Sequence, residues 1–235
     1  MAFSGINHSV SLDLLVIAPH PDDAELGCGG LLARAKAEGL STGILELSLG
    51  EMSTKGTPEE RLEEAAEAAR ILGLDYRGNL RFPDGSLRDT PEQVARLAHA
   101  LRELRPAVLI VPHESDRHPD HTGAHYLCRS AAHFAALPRA RVEGEAHRVS
   151  RLFFYPGNYP VTPTLLVDVS AHIDTWEAAV LAHRSQFFGE AASETVSLAG
   201  VEARKALRRQ WGNYLGVGYA EPLVSPLPLL TTPWY

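Results

Sequence analysis

The stretch Leu12 to Ala18, LDLLVIA, is a nearly unbroken apolar run, too short to stand as a helix and too apolar for a strand with one face in water. Such a run suits a parallel sheet covered on both faces. Leu26 to Glu38 follows with helical spacing, then Thr42 to Leu47 as a strand and Pro58 to Leu72 as a charged amphipathic helix. A short strand near Leu80, a helix over Pro91 to Leu104, a strand over Ala107 to Val111 and a helix over Pro119 to Ala136 continue the alternation. Proline opens that last helix, where its missing amide proton costs nothing. Alternation of this kind predicts an α/β chain with three layers, α/β/α, and a mostly parallel sheet. Ligands of such sheets sit beyond the carboxyl ends of the strands.

The second half is less regular. Leu152 to Tyr155 and Leu165 to Val169 read as strands, Thr175 to Arg184 and Val201 to Trp211 as helices, and a proline-rich tail follows. No repeat or linker divides the 235 residues, and 45% hydrophobic side chains suffice for one large core, so a single domain over 1–235 is expected. A formal net charge of −7 without a Lys/Arg block argues against nucleic acid or an anionic membrane as partner. That leaves a small molecule. Two cysteines make no disulfide framework, and no leader-like or membrane-spanning run opens the sequence, so a cytoplasmic location is expected.

At the end of the first strand stands VIAPHPDDAELGCGG, Val16 to Gly30. A strand followed by G-x-G suggests a dinucleotide site, with Glu46 as the ribose acid, but the third small residue of the fingerprint is missing. His20-Pro-Asp-Asp23 would also put two carboxylates where a pyrophosphate should approach. A better account pairs this stretch with His113-Glu-Ser-Asp-Arg-His-Pro-Asp-His121, which follows another apolar strand. If those strands are neighbours, His20, Asp22, Asp23, His118, Asp120 and His121 meet in one crevice. Two imidazoles and one carboxylate are a common set for catalytic zinc, with a fourth position open. His20 and Asp23, three apart around a proline turn, can point to one centre. Asp22 between them is then turned aside and placed as a base.

Each acid also has a plainer use, as a helix cap, which would be the better account of either motif alone. The two motifs together favour the metal. His125, one turn after His121, lacks the acid of H-E-x-x-H and is better read as packing or support than as a ligand. Cys28 and Cys128 fall on helical faces and read as core. His99, His133, His147, His172 and His183 have no comparable neighbours and read as structural or exposed.

In carrying both Pro19-His20-Pro-Asp-Asp23 and His118-Pro-Asp-His121, the chain resembles the PIG-L/LmbE family of zinc-dependent N-deacetylases, whose paired signatures these are. Leu49-Gly-Glu-Met-Ser53, Gly56-Thr57 with Arg61, Asp116-Arg-His-Pro-Asp-His121, His183-Arg-Ser-Gln-Phe187 and Gly216-Val-Gly-Tyr-Ala-Glu221 extend the likeness to the bacillithiol-biosynthesis branch, which deacetylates N-acetylglucosaminyl malate. The resemblance implies a Rossmann-like fold and one zinc, or another divalent ion, per chain on His20, Asp23 and His121. It implies Asp22 as general base and His118, oriented by Asp120, as acid or oxyanion stabiliser. Arg61 matches the substrate-site arginine, and Arg117 is placed to meet a malate carboxylate, so the expected partner is an anionic sugar conjugate. It further implies a homo-oligomer, a trimer or hexamer. The stretch Phe188 to Gly200 is shorter than in close relatives, and Lys55 stands where asparagine is common; both bear on the substrate.

The implied chemistry is amide hydrolysis, in which zinc acidifies water and polarises the acetyl carbonyl. Rival substrates are a chitobiose-type sugar, an inositol-linked glucosamine or a thiol conjugate. A rival of another class is a silent metal- or sugar-binding protein, against which Asp22 and His118 argue, since binding alone needs neither.

Overall fold

In the computed structural model, which describes residues 11–188 and 196–229, the first apolar run becomes β1 (Leu14–Ala18), buried at all five positions. Its side chains alternate between two cores, Leu15 and Ile17 on one face and Leu14, Val16 and Ala18 on the other. The chain continues through α1 (Asp23–Ala37), β2 (Thr42–Ser48), α2 (Pro58–Leu72), β3 (Tyr76–Phe82), α3 (Pro91–Leu104), β4 (Val108–Pro112), α4 (Pro119–Ala135) and β5 (Arg151–Tyr155). The five strands are all parallel, in the order β3-β2-β1-β4-β5. On one face Leu97 and Leu101 of α3 and Leu127 and Ala131 of α4 pack on Leu15 and Ile17. On the other, Leu31 and Leu32 of α1 and Leu72 of α2 pack on Leu14 and Val16. The result is the three-layer α/β/α fold expected of the alternation.

The order of the strands is what makes a site. From β1 the chain moves outward to β2 and β3, then returns to lay β4 on the other side of β1. The loops after β1 and β4 therefore diverge from the sheet's switch point and leave a crevice between them. Adjacency of these two strands is the condition on which the two charged motifs meet.

Two features of the fold differ from expectation. Helix α1 begins at Asp23, three residues before the expected start at Leu26, and breaks at Cys28, whose φ of −150° and ψ of 28° are not helical. Amides freed at the break, those of Gly30 and Leu31, donate to the Glu221 carboxylate at 3.1 and 2.7 Å. The glycine cluster thus serves a broken helix and an internal carboxylate, and the dinucleotide reading falls. Gly27 is needed because a Cβ there would lie 2.2 Å from the ring of Tyr155.

The second half also departs from a simple continuation. β6 (Leu165–Asp168) leaves the main sheet and pairs antiparallel with β7 (Ala220–Leu223), a strand that its Glu-Pro pair hides from pattern reading. A bridge from Val224 to Phe154 ties this ribbon to β5. Between them come α5 (Ile173–Leu181), α6 (Arg184–Phe187) and α7 (Leu198–Leu215), so the helix expected over Thr175 to Arg184 is two pieces broken at 182–183. α7 outruns its periodic centre because the Ser197 hydroxyl caps its start and Gly216, at φ 70°, ends it. Residues 189–195 of the shortened 188–200 stretch, and 230–235 of the tail, lie outside the described residues. Among the described residues no helix is long and apolar enough to cross a membrane.

Candidate active site and metal centre

The turn after β1 sends two consecutive carboxylates in different directions. Asp22 precedes α1 with φ 106° and ψ −28°, a left-handed conformation rarely taken by a residue with a side chain and one that costs on the order of 1–3 kcal/mol. Its carboxylate does not cap the helix. It forms no hydrogen bond among the described residues, lines the cleft, and has Arg61 Nη2 at 3.8 Å as its nearest cation. Burial pushes Asp22 up to about 6, against the pull of Arg61. Asp23 turns to the other side. Its Oδ2 accepts from the His20 amide at 3.0 Å and lies 3.3 Å from both His20 Nδ1 and His121 Nε2. Capping therefore explains neither acid.

His20, Asp23 and His121 each offer one donor atom, all within 4.8 Å of one another. The outer nitrogens of both rings are held by further carboxylates. His121 Nδ1 faces Asp116 Oδ2 at 3.1 Å, and His20 Nε2 faces Asp84 at 3.0 Å and Asp120 at 3.4 Å. Such outer contacts fix which nitrogen carries the proton and which points inward, as in metal sites with a carboxylate behind each histidine. Burial works against charged imidazoles, but the surrounding carboxylates outweigh it. They hold His121 at about 9 and His20 well above its ordinary range, while Asp23 stays well below its own. Four carboxylates around two imidazoles call for positive charge at the centre, and the nitrogen and oxygen donors suit zinc or another borderline divalent ion. The residues fit the metal.

His118, exposed at the start of α4, stands over the same centre. Its ring meets His20 edge-on with centroids 5.0 Å apart and stacks on His121 at 4.9 Å. Its Nδ1 accepts from the amide of Asp120 at 3.2 Å, which leaves Nε2 to carry the ring's proton. Burial, with His121 and His20 close by, lowers its pKa. Asp120, expected to orient His118, bonds that ring through its backbone amide and not through its carboxylate. That carboxylate accepts from Gly85 and Leu87 amides at 2.7 and 3.1 Å and faces His20, so Asp120 touches His118 through its backbone alone.

Arg61, expected at the substrate, also serves the fold. It is buried, and its terminal nitrogens already donate to the carbonyls of Gly50 at 3.1 Å and Pro21 at 2.6 Å. It steadies the turn that carries Asp22 and lines the cleft beside that carboxylate. Arg117 is exposed and lines the cleft beside His118. The Lys55 ammonium donates to Gln186 and Val196 carbonyls at 2.7 and 3.0 Å, joining two loops.

In and around the cleft, about 470 Å³ in volume, stand residues whose part in the site pattern reading missed. Asp84 sits in a Pro-Asp-Gly turn and reads only as a turn former. Asp116 lies inside the second motif, yet its role shows only in space, where it holds His121, the His118 amide and Asn158 together. Arg204 of α7 arrives from a distant helix with no local signal. His125 Nδ1–H donates to the Pro112 carbonyl, 2.9 Å away, and the ring packs on Phe154, so it supports β4. His183 is fully buried, 3.3 Å from Glu25, and both cysteines are core.

Against this geometry, comparison with known proteins is specific. The family model PIG-L, GlcNAc-PI de-N-acetylase, matches residues 15–132, which include every residue of the two motifs. Diacetylchitobiose deacetylase of Thermococcus kodakarensis is 32% identical over 189 residues, covering 74% of this chain and 70% of that protein. The 1D-myo-inositol 2-acetamido-2-deoxy-alpha-D-glucopyranoside deacetylase of Geodermatophilus obscurus is 30% identical over 176 residues, 60% of each. Among solved structures, a conserved protein from Thermus thermophilus superposes with a TM-score of 0.89 at 68% identity, covering 95% of this chain and 99% of that one. These relatives do not single out the bacillithiol branch. The chain belongs to the PIG-L family of deacetylases, hydrolases that open an amide bond.

Proposed function

We propose that the protein removes the acetyl group from an N-acetylglucosamine conjugate that carries negative charge, with N-acetylglucosaminyl malate as the substrate of choice. One observation carries the hydrolytic reading: Asp22 is held in a strained backbone, unbonded, at the edge of a His20, Asp23 and His121 cluster that it does not join. A structural carboxylate would cap a helix or accept hydrogen bonds, whereas Asp22 has only Arg61 at 3.8 Å. His20, Asp23 and His121 would hold a divalent ion, which when bound would polarise the acetyl carbonyl and acidify water. Asp22 takes a proton from water as its oxygen adds to the carbonyl carbon, and the His118 Nε2–H faces the developing oxyanion. Return of a proton to nitrogen breaks the C–N bond and yields acetate and the free amine. Arg61 and Asp120 position the groups that act.

The anionic preference rests on Arg117 at the cleft mouth, on a chain otherwise of net charge −7. A guanidinium suits a carboxylate through paired hydrogen bonds. Acetate release should be measured from N-acetylglucosaminyl malate, free N-acetylglucosamine and diacetylchitobiose. kcat/KM for the malate conjugate should exceed that for the free sugar by at least about tenfold, and the margin should shrink in Arg117→Ala. Equal efficiency on the neutral sugars would make this a general glucosaminide deacetylase.

A further inference from the structure

Arg204 stands between the cleft and a second cavity of about 340 Å³, lining both. The two cavities also share Gly157, whose backbone presses on the metal site: a Cβ there would come within 2.1 Å of Asp116 Oδ2 and 3.0 Å of His121 Nδ1. The Gly157 carbonyl accepts from Arg204 Nη1 at 3.1 Å, and no carboxylate among the described residues pairs with this guanidinium. Arg208, one turn further along α7, is by contrast fully engaged. It bonds Glu221 and the Leu26 carbonyl and lies 4.1 Å over the ring of Trp176. Arg208 serves the fold. Burial and the proximity of Arg208 disfavour charge on Arg204, so the fold alone gains little by keeping it there.

A partly buried guanidinium with one of its five donors in use among the described residues is suited to an anion, whereas the terminal nitrogens of Arg61 already hold the Gly50 and Pro21 carbonyls. Beyond Arg204 the second cavity is walled by Tyr159, Val161, Leu207, Trp211 and Pro222, which offer apolar and aromatic surface. Asp22, Asp23 and Asp116 act on Arg204 from across the cleft.

We infer that the second cavity is the subsite for the group attached to the glucosamine, and that Arg204 selects among substrates by binding a carboxylate on that group while its carbon skeleton packs on Leu207 and Trp211. The inference deepens the proposed deacetylase reading and rests on it.

The test uses methyl and carboxymethyl N-acetylglucosaminides of one anomer, which differ chiefly in charge. With the metal-loaded protein, kcat/KM should favour the carboxymethyl compound by at least about tenfold. In Arg204→Ala the ratio should fall close to one, mainly through KM, with Arg204→Lys between the two because it keeps charge without the fork. Leu207→Glu keeps Arg204 but places a competing carboxylate in the cavity, and it should lower the same ratio. Calorimetric titration with the deacetylated carboxymethyl glucosaminide should show at least tenfold weaker binding to both Arg204→Ala and Leu207→Glu. Turnover with a ratio unchanged in these variants would overturn the subsite alone. No acetate from either glycoside would overturn the deacetylase reading and the subsite with it.

Discussion

Asp116 Oδ2 lies 3.1 Å from His121 Nδ1, and that contact turns the other nitrogen of the ring towards Asp23, 3.3 Å away. Asp116 also accepts from the amides of His118 and Asn158 at 2.8 and 2.7 Å, so one carboxylate ties the second motif to the loop after β5. Asp116→Asn should weaken metal binding about 10- to 100-fold without unfolding the protein, because the amide no longer fixes the ring's proton. Competition against a chelator of known affinity measures this. Unchanged affinity would make Asp116 a loop anchor only.

Metal uptake should release protons. The carboxylates hold His121 at about 9 and His20 well above its ordinary value, so both rings are charged at pH 7, whereas only a neutral ring has a lone pair to give. Affinity should therefore rise with pH from 6 to 9, by up to about 100-fold per unit if both protons are displaced. Calorimetry in buffers of different ionisation enthalpy counts them, and a count near zero at pH 7 would contradict the charge assignment.

Glu221 is fully buried, and its carboxylate holds the broken helix α1 to Arg208 of α7. Glu221→Ala leaves the Arg208 Nε–H and two amides without an acceptor and the buried guanidinium without its carboxylate, at a cost of about 3–5 kcal/mol. For a chain of this size that lowers the melting temperature by about 6–20 °C. Thermal unfolding followed by circular dichroism checks it. A drop under about 2 °C would show that water replaces the carboxylate.

His118→Ala should retain the metal and lose on the order of 10²-fold or more in kcat, since its Nε2–H meets charge that develops only during the reaction. A rise in KM with kcat intact would instead make His118 a substrate-binding ring.

The layers and the two acidic loops are legible in sequence because each rests on a local signal: a buried strand must be continuously apolar, and His20-Pro-Asp-Asp23 and His118-Pro-Asp-His121 sit directly after two such strands. Asp84 and Arg204 are not legible, because one looks like any turn acid and the other like any helix arginine until the chain is folded. The role of Glu221 is hidden for the same reason, with 190 residues separating it from Leu31. Asp22 could be placed as a base from its neighbours, but its backbone strain and its lack of a bond are facts of three dimensions.

The central claim is that Asp22 acts on water and does not bind the metal. Asp22→Asn is nearly isosteric but cannot take the proton, so kcat is the measurement, made on protein whose metal content equals that of the parent. The predicted result is a loss on the order of 10²- to 10⁴-fold with the ion retained. Near-normal turnover at full metal content would contradict it.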